Sequence, residues 1–175
     1  DILKSLLPNS EIILNLNSLG KKNDLKEYKK ILSKYFNDKK LKLSEESREK
    51  IYTNPLRILD SKNENDNNIS SLAPSILDYI SDDSKNHFDE IKKGLKFNNI
   101  NFKVNNKLVR GLDYYCGTVF EFKTQSLGSQ DTLLGGGRYD GLINLLGGPD
   151  VPGIGWAAGI ERISMLMNLN LKKNN

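Results

Sequence analysis

Twelve of the chain's 14 glycines fall between Gly111 and Gly159, and Arg110, Arg138 and Arg162, three of its five arginines, share that stretch. Glycine lets backbone approach a ligand closely or take a positive φ, and arginine offers a planar fork of donors suited to phosphate and carboxylate. Their concentration in a chain otherwise dominated by lysine marks residues 108–162 as the site. The hydrophobic period changes near the same boundary, from helical spacing ahead of it to a period of two from residue 101 onward.

Residues 1–7 read as the end of a helix stopped by Pro8, and the alternation from Glu11 to Asn17 predicts a strand. Beyond Gly20, Leu25, Tyr28, Ile31, Leu32, Tyr35 and Phe36 recur at three-and-four spacing after Asn23–Asp24, which reads as an N-cap pair. Ser44–Glu45–Glu46 opens a second helix that runs to Asn54 before Pro55. The polar run Ser61–Asn68 reads as an exposed loop. Two further helices are predicted, near Pro74–Ile80 and from Ser81–Asp82 to about Asn98, the latter with Phe88, Ile91 and Leu95 on one face. Residues 21–98 therefore read as a small helical module with an ordinary core, and His87 as a structural residue, at the surface or half-buried. Strands follow at Phe102–Val104, Thr118–Phe122 and Thr132–Leu134, separated by Gly/Ser/Gln-rich turns. Arg138–Leu146 predicts a helix ending at Gly147–Gly148, Pro149–Pro152 a loop, and Ile154–Ala158 a last strand entering a helix at Gly159–Ile160. This order favours an α+β fold, an antiparallel sheet with helices on one face, over a doubly wound parallel sheet.

A chain of 175 residues suits one domain, or a piece of a larger one carrying an inserted module. Only 37% of residues are hydrophobic, and no apolar run approaches the roughly 20 needed to cross a bilayer. Cys116 has no partner for a disulfide, which excludes a stapled secreted scaffold and points to a reducing compartment. One His and one Cys cannot build a Cys/His zinc site. The start at Asp1, with neither Met nor leader, is read as the interior of a longer protein. Residues 1–107 hold 20 of the 26 cationic and 16 of the 22 anionic side chains, so the whole excess of +4 lies there. It serves either an anionic partner such as nucleic acid or a solvated helical surface.

Three strings carry candidate chemistry. Gly153 to Ala158 has the letters of a dinucleotide fingerprint, but no βαβ unit follows and no acidic residue lies about 20 positions on. The phosphate-loop pattern is absent. What remains is a strand entering a helix through glycines with Arg162 in the first turn, where it either joins the backbone N–H groups in holding a phosphate or pairs with Glu161. Gly135-Gly136-Gly137 before Arg138-Tyr139-Asp140 is either a bulge or turn, or clear space for a flat ligand. Arg110-Gly-Leu-Asp113-Tyr114-Tyr115 is costly to bury without partners, which suits a binding role, although structural aromatic pairs are common.

Taken together, Leu108 to Tyr115, Thr118-Val-Phe-Glu121, Gly135 to Leu142 and Gly153 to Arg162, in this order and at these distances, resemble histidyl-tRNA synthetase. The first string is similar to the family's histidine motif and the last to motif 3 of class II synthetases. Leu16–Gly20 and Tyr52–Lys62 resemble the stretch after motif 2 and the helical insertion domain. The resemblance implies catalytic-core segments at 1–20 and 100–175 around a helical insertion domain at 21–99, within a class II antiparallel sheet. It implies a cytoplasmic homodimer that joins L-histidine and ATP, with Mg2+, into histidyl-adenylate and passes the histidyl group to its tRNA. Arg110 is then the catalytic residue and lies with Tyr114, Tyr115 and Tyr139 at the histidine. Gly155 and Arg162 hold ATP, and no residue is assigned to a metal. The insertion domain approaches the tRNA acceptor stem.

The string departs from the family where Cys116-Gly117 stands in place of a polar residue and an Arg, and it holds neither motif 1, motif 2 nor an anticodon-binding domain. The alternative is the synthetase-like regulatory subunit of ATP phosphoribosyltransferase, which senses histidine and makes no adenylate. A third reading is a module in which residues 21–98 only grip RNA, marked by an affinity that falls steeply with salt. Because motif 2 brings a second phosphate-binding Arg, these 175 residues alone are expected not to activate histidine. Appreciable histidine-dependent ATP–pyrophosphate exchange by the isolated chain would overturn this.

Overall fold

The computed structural model describes residues 2–128 and 131–173. Asp1, at the front of the first expected helix, and Ser129–Gln130, within an expected turn, lie outside the described residues. Helix α1 (Ile2–Leu6) stops before Pro8 and leads to strand β1 (Ile13–Ser18). Four helices and two 3-10 turns follow: α2 (Lys22–Asn37), α3 (Glu45–Thr53), α4 (Leu56–Leu59) and α5 (Glu64–Ser71), with turns at Lys40–Lys42 and Ile76–Asp78. Helix α6 (Asp82–Phe97) then delivers the chain to β2 (Phe102–Val104). The remainder is β3 (Cys116–Lys123), β4 (Thr132–Arg138), a short α7 (Leu142–Leu145), β5 (Ile154–Ala158) and α8 (Ile160–Lys173).

The five strands form one sheet in the order β2-β1-β3-β4-β5. The expected antiparallel sheet needs one correction, because β1 and β2 run parallel with Leu14 opposite Phe102. Parallel neighbours need a long crossover, and the helices between the two strands supply it. The other three pairings are antiparallel.

The helices and the sheet share one core. Tyr28, Leu32 and Phe36 of α2 pack with Ile51 of α3 and Leu56, Ile58 and Leu59 of α4, and the same cluster takes in Leu108, Val109 and Val119 from the sheet side. A smaller cluster joins Leu7, Leu133 and Leu166 of α8. Two buried phenols keep their polar ends satisfied: Tyr28 donates to the Pro74 carbonyl at 2.7 Å, and Tyr35, partly buried, to that of Ile69 at 2.8 Å.

Several local expectations change. Asn23–Asp24 does not precede α2 but lies inside it. The chain turns at Gly20 (φ +67°), and the Asp24 carboxylate reaches back to accept the Lys21 N–H at 2.9 Å. Ser44 does cap α3, accepting from the Ser47 N–H at 3.2 Å. The Pro74–Ile80 helix is only a 3-10 turn. The Arg138–Leu146 helix shrinks to Leu142–Leu145 because Arg138 ends β4, which runs straight through the three glycines instead of stopping at Leu134.

The run Ser61–Asn68 is not a loop over its whole length. Asn63 caps α5 by accepting from the N–H groups of Asn65 and Asp66 at 3.0 and 3.3 Å. Asp66 is fully buried. Its carboxylate accepts the Ser44 N–H at 2.8 Å and the hydroxyls of Ser44, Ser47 and Ser61 at 2.6, 2.6 and 2.8 Å. A buried carboxylate is tolerable only with donors of this kind, and here they tie α3 to α5. Burial raises the Asp66 pKa, but the serine donors outweigh it and leave it below the ordinary carboxylate value. A depressed pKa stabilises the fold above the unfolded value, about 3.9, and the contribution fades as pH falls through the native value. Asp66→Ala is expected to lose about 2–3 kcal/mol at pH 7 by chemical denaturation, with the gap to the parent closing below about pH 4. A gap that widens in acid contradicts this assignment.

Candidate active site

Leu108 and Val109 are buried in the shared core, so the chain enters the 110–115 loop from a fixed position. Arg110 leaves that position toward the sheet. Its Nη1 donates to Glu121 Oε1 at 2.6 Å, and its guanidinium lies 5.6 Å from the Tyr115 ring centroid. The buried Nε has no acceptor among the described residues. Glu121 also meets Lys123 Nζ at 3.5 Å and the Thr132 hydroxyl at 3.4 Å. Lys123 in turn reaches Asp131 at 3.4 Å.

The three glycines of β4 are clear space, but what occupies it is the protein's own side chains. Neighbouring strand residues face opposite sides of a sheet. A Cβ at Gly135 would lie 2.7 Å from Arg110 Nη1, and one at Gly137 would lie 3.0 Å from the Tyr115 ring. On the opposite face, a Cβ at Gly136 would meet Trp156 Cβ at 2.7 Å. The same holds on β5, where a Cβ at Gly155 would sit 2.8 Å from the Tyr139 hydroxyl.

Tyr114, Tyr115 and Tyr139 form a cluster with ring centroids 4.7 Å apart for the first pair and 5.9 and 6.2 Å from Tyr139 to each. Tyr139 is fixed by its N–H to the Gly153 carbonyl at 2.8 Å. Burial, then Tyr115, push the Tyr114 phenol above its ordinary pKa against the pull of Arg110. It is therefore a neutral donor and acceptor at pH 7. Arg162 does not pair with Glu161. Its Nη1 donates to the Thr132 carbonyl at 2.7 Å, so Arg110, Glu121, Thr132 and Arg162 form one connected network across β3, β4 and α8.

Arg138 does not join this network. Its Nε donates to both oxygens of Asp140 at 2.8 Å. The Asp140 N–H points at Cys116 Sγ at 3.4 Å, and the Gly153 N–H reaches Asp140 at 3.3 Å. Beyond it a cleft of about 770 Å³ opens between the α2 and α6 starts and the 113–117 loop, lined by Tyr114, Tyr115, Arg138 and the exposed His87 among others. Arg110, Tyr139, Gly155 and Arg162 do not line it. The cleft and the arginine–tyrosine face thus share only the first two tyrosines. Among the described residues no group of three or more His, Cys, Asp or Glu side chains could hold a metal ion.

Sequence reasoning named Arg110, Tyr114, Tyr115, Tyr139, Gly155 and Arg162 but assigned no role to Glu121 or Thr132. A signal existed. Glu121 is two residues from the buried Val119, hence on the same inward face of β3, where a carboxylate needs a cation.

Comparison with known proteins agrees with these strings. The family model for histidyl-tRNA synthetase matches residues 17–163. The histidine–tRNA ligase of Rickettsia felis is 49% identical over 174 residues, covering 99% of this chain and 42% of that protein. That of Anaplasma marginale is 52% identical over 166 residues, covering 95% and 39%. The crystal structure of apo S. aureus histidyl-tRNA synthetase superposes with a TM-score of 0.72 at 34% identity, covering 95% of this chain and 40% of that one. The chain thus spans about two fifths of the length of the relatives it matches.

Burial raises the Cys116 thiol pKa, with the Asp140 carboxylate adding, against the Asp140 N–H and Arg138. Alkylation of Cys116 by iodoacetamide is expected to have a rate–pH curve lying alkaline of a free cysteine peptide. A curve on the acid side would contradict this.

Proposed function

The chain belongs to the histidyl-tRNA synthetase family, and from that membership we propose that the Arg110–tyrosine face is the histidine-activating part of a histidine–tRNA ligase. The observation that carries this reading is Arg110, held by Glu121 at 2.6 Å over the Gly135 floor and beside Tyr115 of the three-tyrosine cluster. The histidine carboxylate is already a nucleophile, so activation requires alignment with the ATP α-phosphate and stabilisation of developing charge. Arg110 binds that carboxylate and the α-phosphate, and the pairing with Glu121 fixes its fork in advance. Tyr114, neutral and able both to donate and to accept, meets the imidazole nitrogens together with Tyr115. A pocket built on such bonds rejects an analogue lacking them by roughly 10⁴–10⁵. Tyr139 closes the histidine side against Gly155, and Arg162 at the start of α8 holds ATP.

Mg2+ brought by ATP keeps waters and needs only one or two protein carboxylates. Glu121 does not fit that role, because its two oxygens are already taken by Arg110 at 2.6 Å and by Lys123 and the Thr132 hydroxyl at 3.5 and 3.4 Å. The ion supplies charge neutralisation on the phosphates when bound. Transfer to tRNA extends the reading to residues 21–99 as an insertion domain at the acceptor stem, supported by the cationic excess ahead of residue 108. The division into core segments 1–20 and 100–175, a homodimer and a cytoplasmic setting complete it. No described helix is long and apolar enough to cross a membrane.

The test is histidine-dependent ATP–pyrophosphate exchange by the full-length protein that carries this chain, against Arg110→Ala. The variant is expected to lose about 10²–10³-fold in rate. Histidine binding without exchange in the parent would instead support the regulatory-subunit reading, with Arg110 as a carboxylate anchor.

A further inference from the structure

The loop that carries Arg110, Tyr114 and Tyr115 is anchored at its entry by the buried Leu108 and Val109 and at its exit by β3. Between them it has little of its own to hold it. Leu112 and Asp113 are exposed, and the sole backbone bond inside 110–115 among the described residues is a long one, from the Tyr115 N–H to the Leu112 carbonyl at 3.5 Å. Two side chains from the helical segment reach across instead. Arg57 Nη2 donates to the Gly111 carbonyl at 2.6 Å, and Lys29 Nζ lies 3.3 Å from Asp113 Oδ1. The second tie is weak, because the Asp113 side chain is 74% exposed and such pairs are screened.

The first tie is also exposed, but it is a short bond to backbone and springs from a fixed base. Leu56, Ile58 and Leu59 bury three of the four α4 residues in the shared core, which fixes the backbone from which Arg57 extends. Its guanidinium also lies flat on the loop. A Cβ at Gly111 would stand 2.8 Å from Nη2, 3.0 Å from Nη1 and 3.1 Å from Cζ of Arg57, so a side chain at 111 would push the guanidinium out of its present place. Gly111 is next to Arg110. A clamp on its carbonyl holds the peptide that leads from Arg110 on toward Tyr114 and Tyr115.

We infer that Arg57 is a positioning residue for the histidine loop, coupling helix α4 to the geometry of Arg110, Tyr114 and Tyr115. The inference rests on the histidine-binding reading of that loop. Misplacement of a substrate-holding group by about 1 Å costs up to roughly 100-fold, and a loop kept by its two anchors shifts by less.

The experiment is a double-mutant cycle in the full-length protein, with Arg57→Ala, Gly111→Ala and both together. Readouts are ATP–pyrophosphate exchange at varied histidine and ATP, histidine affinity by calorimetry, and the thermal midpoint. Each single variant is expected to lower kcat/KM for histidine about tenfold with the KM for ATP unchanged. The double variant is expected to lose no more than either single one, because both break the same contact. A parent-like histidine KM in Arg57→Ala overturns the inference. So does a double loss equal to the product of the single ones, or a fall in thermal midpoint with histidine and ATP affected alike. Absence of exchange in the parent sinks the synthetase reading instead. The cycle is then read on histidine affinity, where Arg57→Ala binding like the parent still overturns the clamp.

Discussion

Three successive residues without Cβ atoms in a central strand are the constraint on which the rest of this site depends. Gly135 and Gly137 leave one face of β4 bare for Arg110 and Tyr115, and Gly136 leaves the other bare for Trp156. Glycine in a strand costs about 0.5–1 kcal/mol relative to Ala, and three in a row would weaken an edge strand badly. Here the glycines are paired on both sides, to Glu121, Phe120 and Val119 of β3 and to Ala157, Trp156 and Gly155 of β5. The ladders hold what side-chain packing cannot.

The room so made is filled by a charge. A partly buried ion pair contributes little net stability, because desolvation offsets the attraction. What Arg110–Glu121 contributes is direction, since the bond at 2.6 Å and the flat glycine floor leave the guanidinium few orientations. In the proposed chemistry this is the useful property, because a donor already oriented need not reorganise as charge develops. Thr132 extends the order outward, accepting from Arg162 through its carbonyl while its hydroxyl faces Glu121.

The helical segment contributes to the same precision. Its hydrophobic stripe does not close on itself but shares a core with Leu108, Val109 and Val119, immediately beside Arg110. Its polar groups are spent on internal ties: the Asp66 carboxylate gathers three serine hydroxyls, and Asp24 accepts from Ser81 and Ser84 at 3.1 and 2.9 Å, joining α2 to α6. A rigid body on one side of the 110–115 loop is the condition for Arg57 to act on it.

Much of this was legible in the chain. The stripe from Leu25 to Phe36, the Ser44 cap and the alternation of Thr118–Phe122 are local patterns, and local patterns report helix and strand because side-chain direction repeats within a few residues. The glycine and arginine concentration marked the candidate site, and the linked strings indicated the family. The tertiary structure alone decided that β2 lies parallel to β1, that Asp66 is buried in a run that reads as loop, that the glycines clear space for Arg110 and Tyr115, and that Arg57 meets Gly111. The physical reason is common to all four. Each depends on a partner distant in the chain, 22 residues away for Ser44 with Asp66 and 54 for Arg57 with Gly111, and no local period records which groups will be brought together.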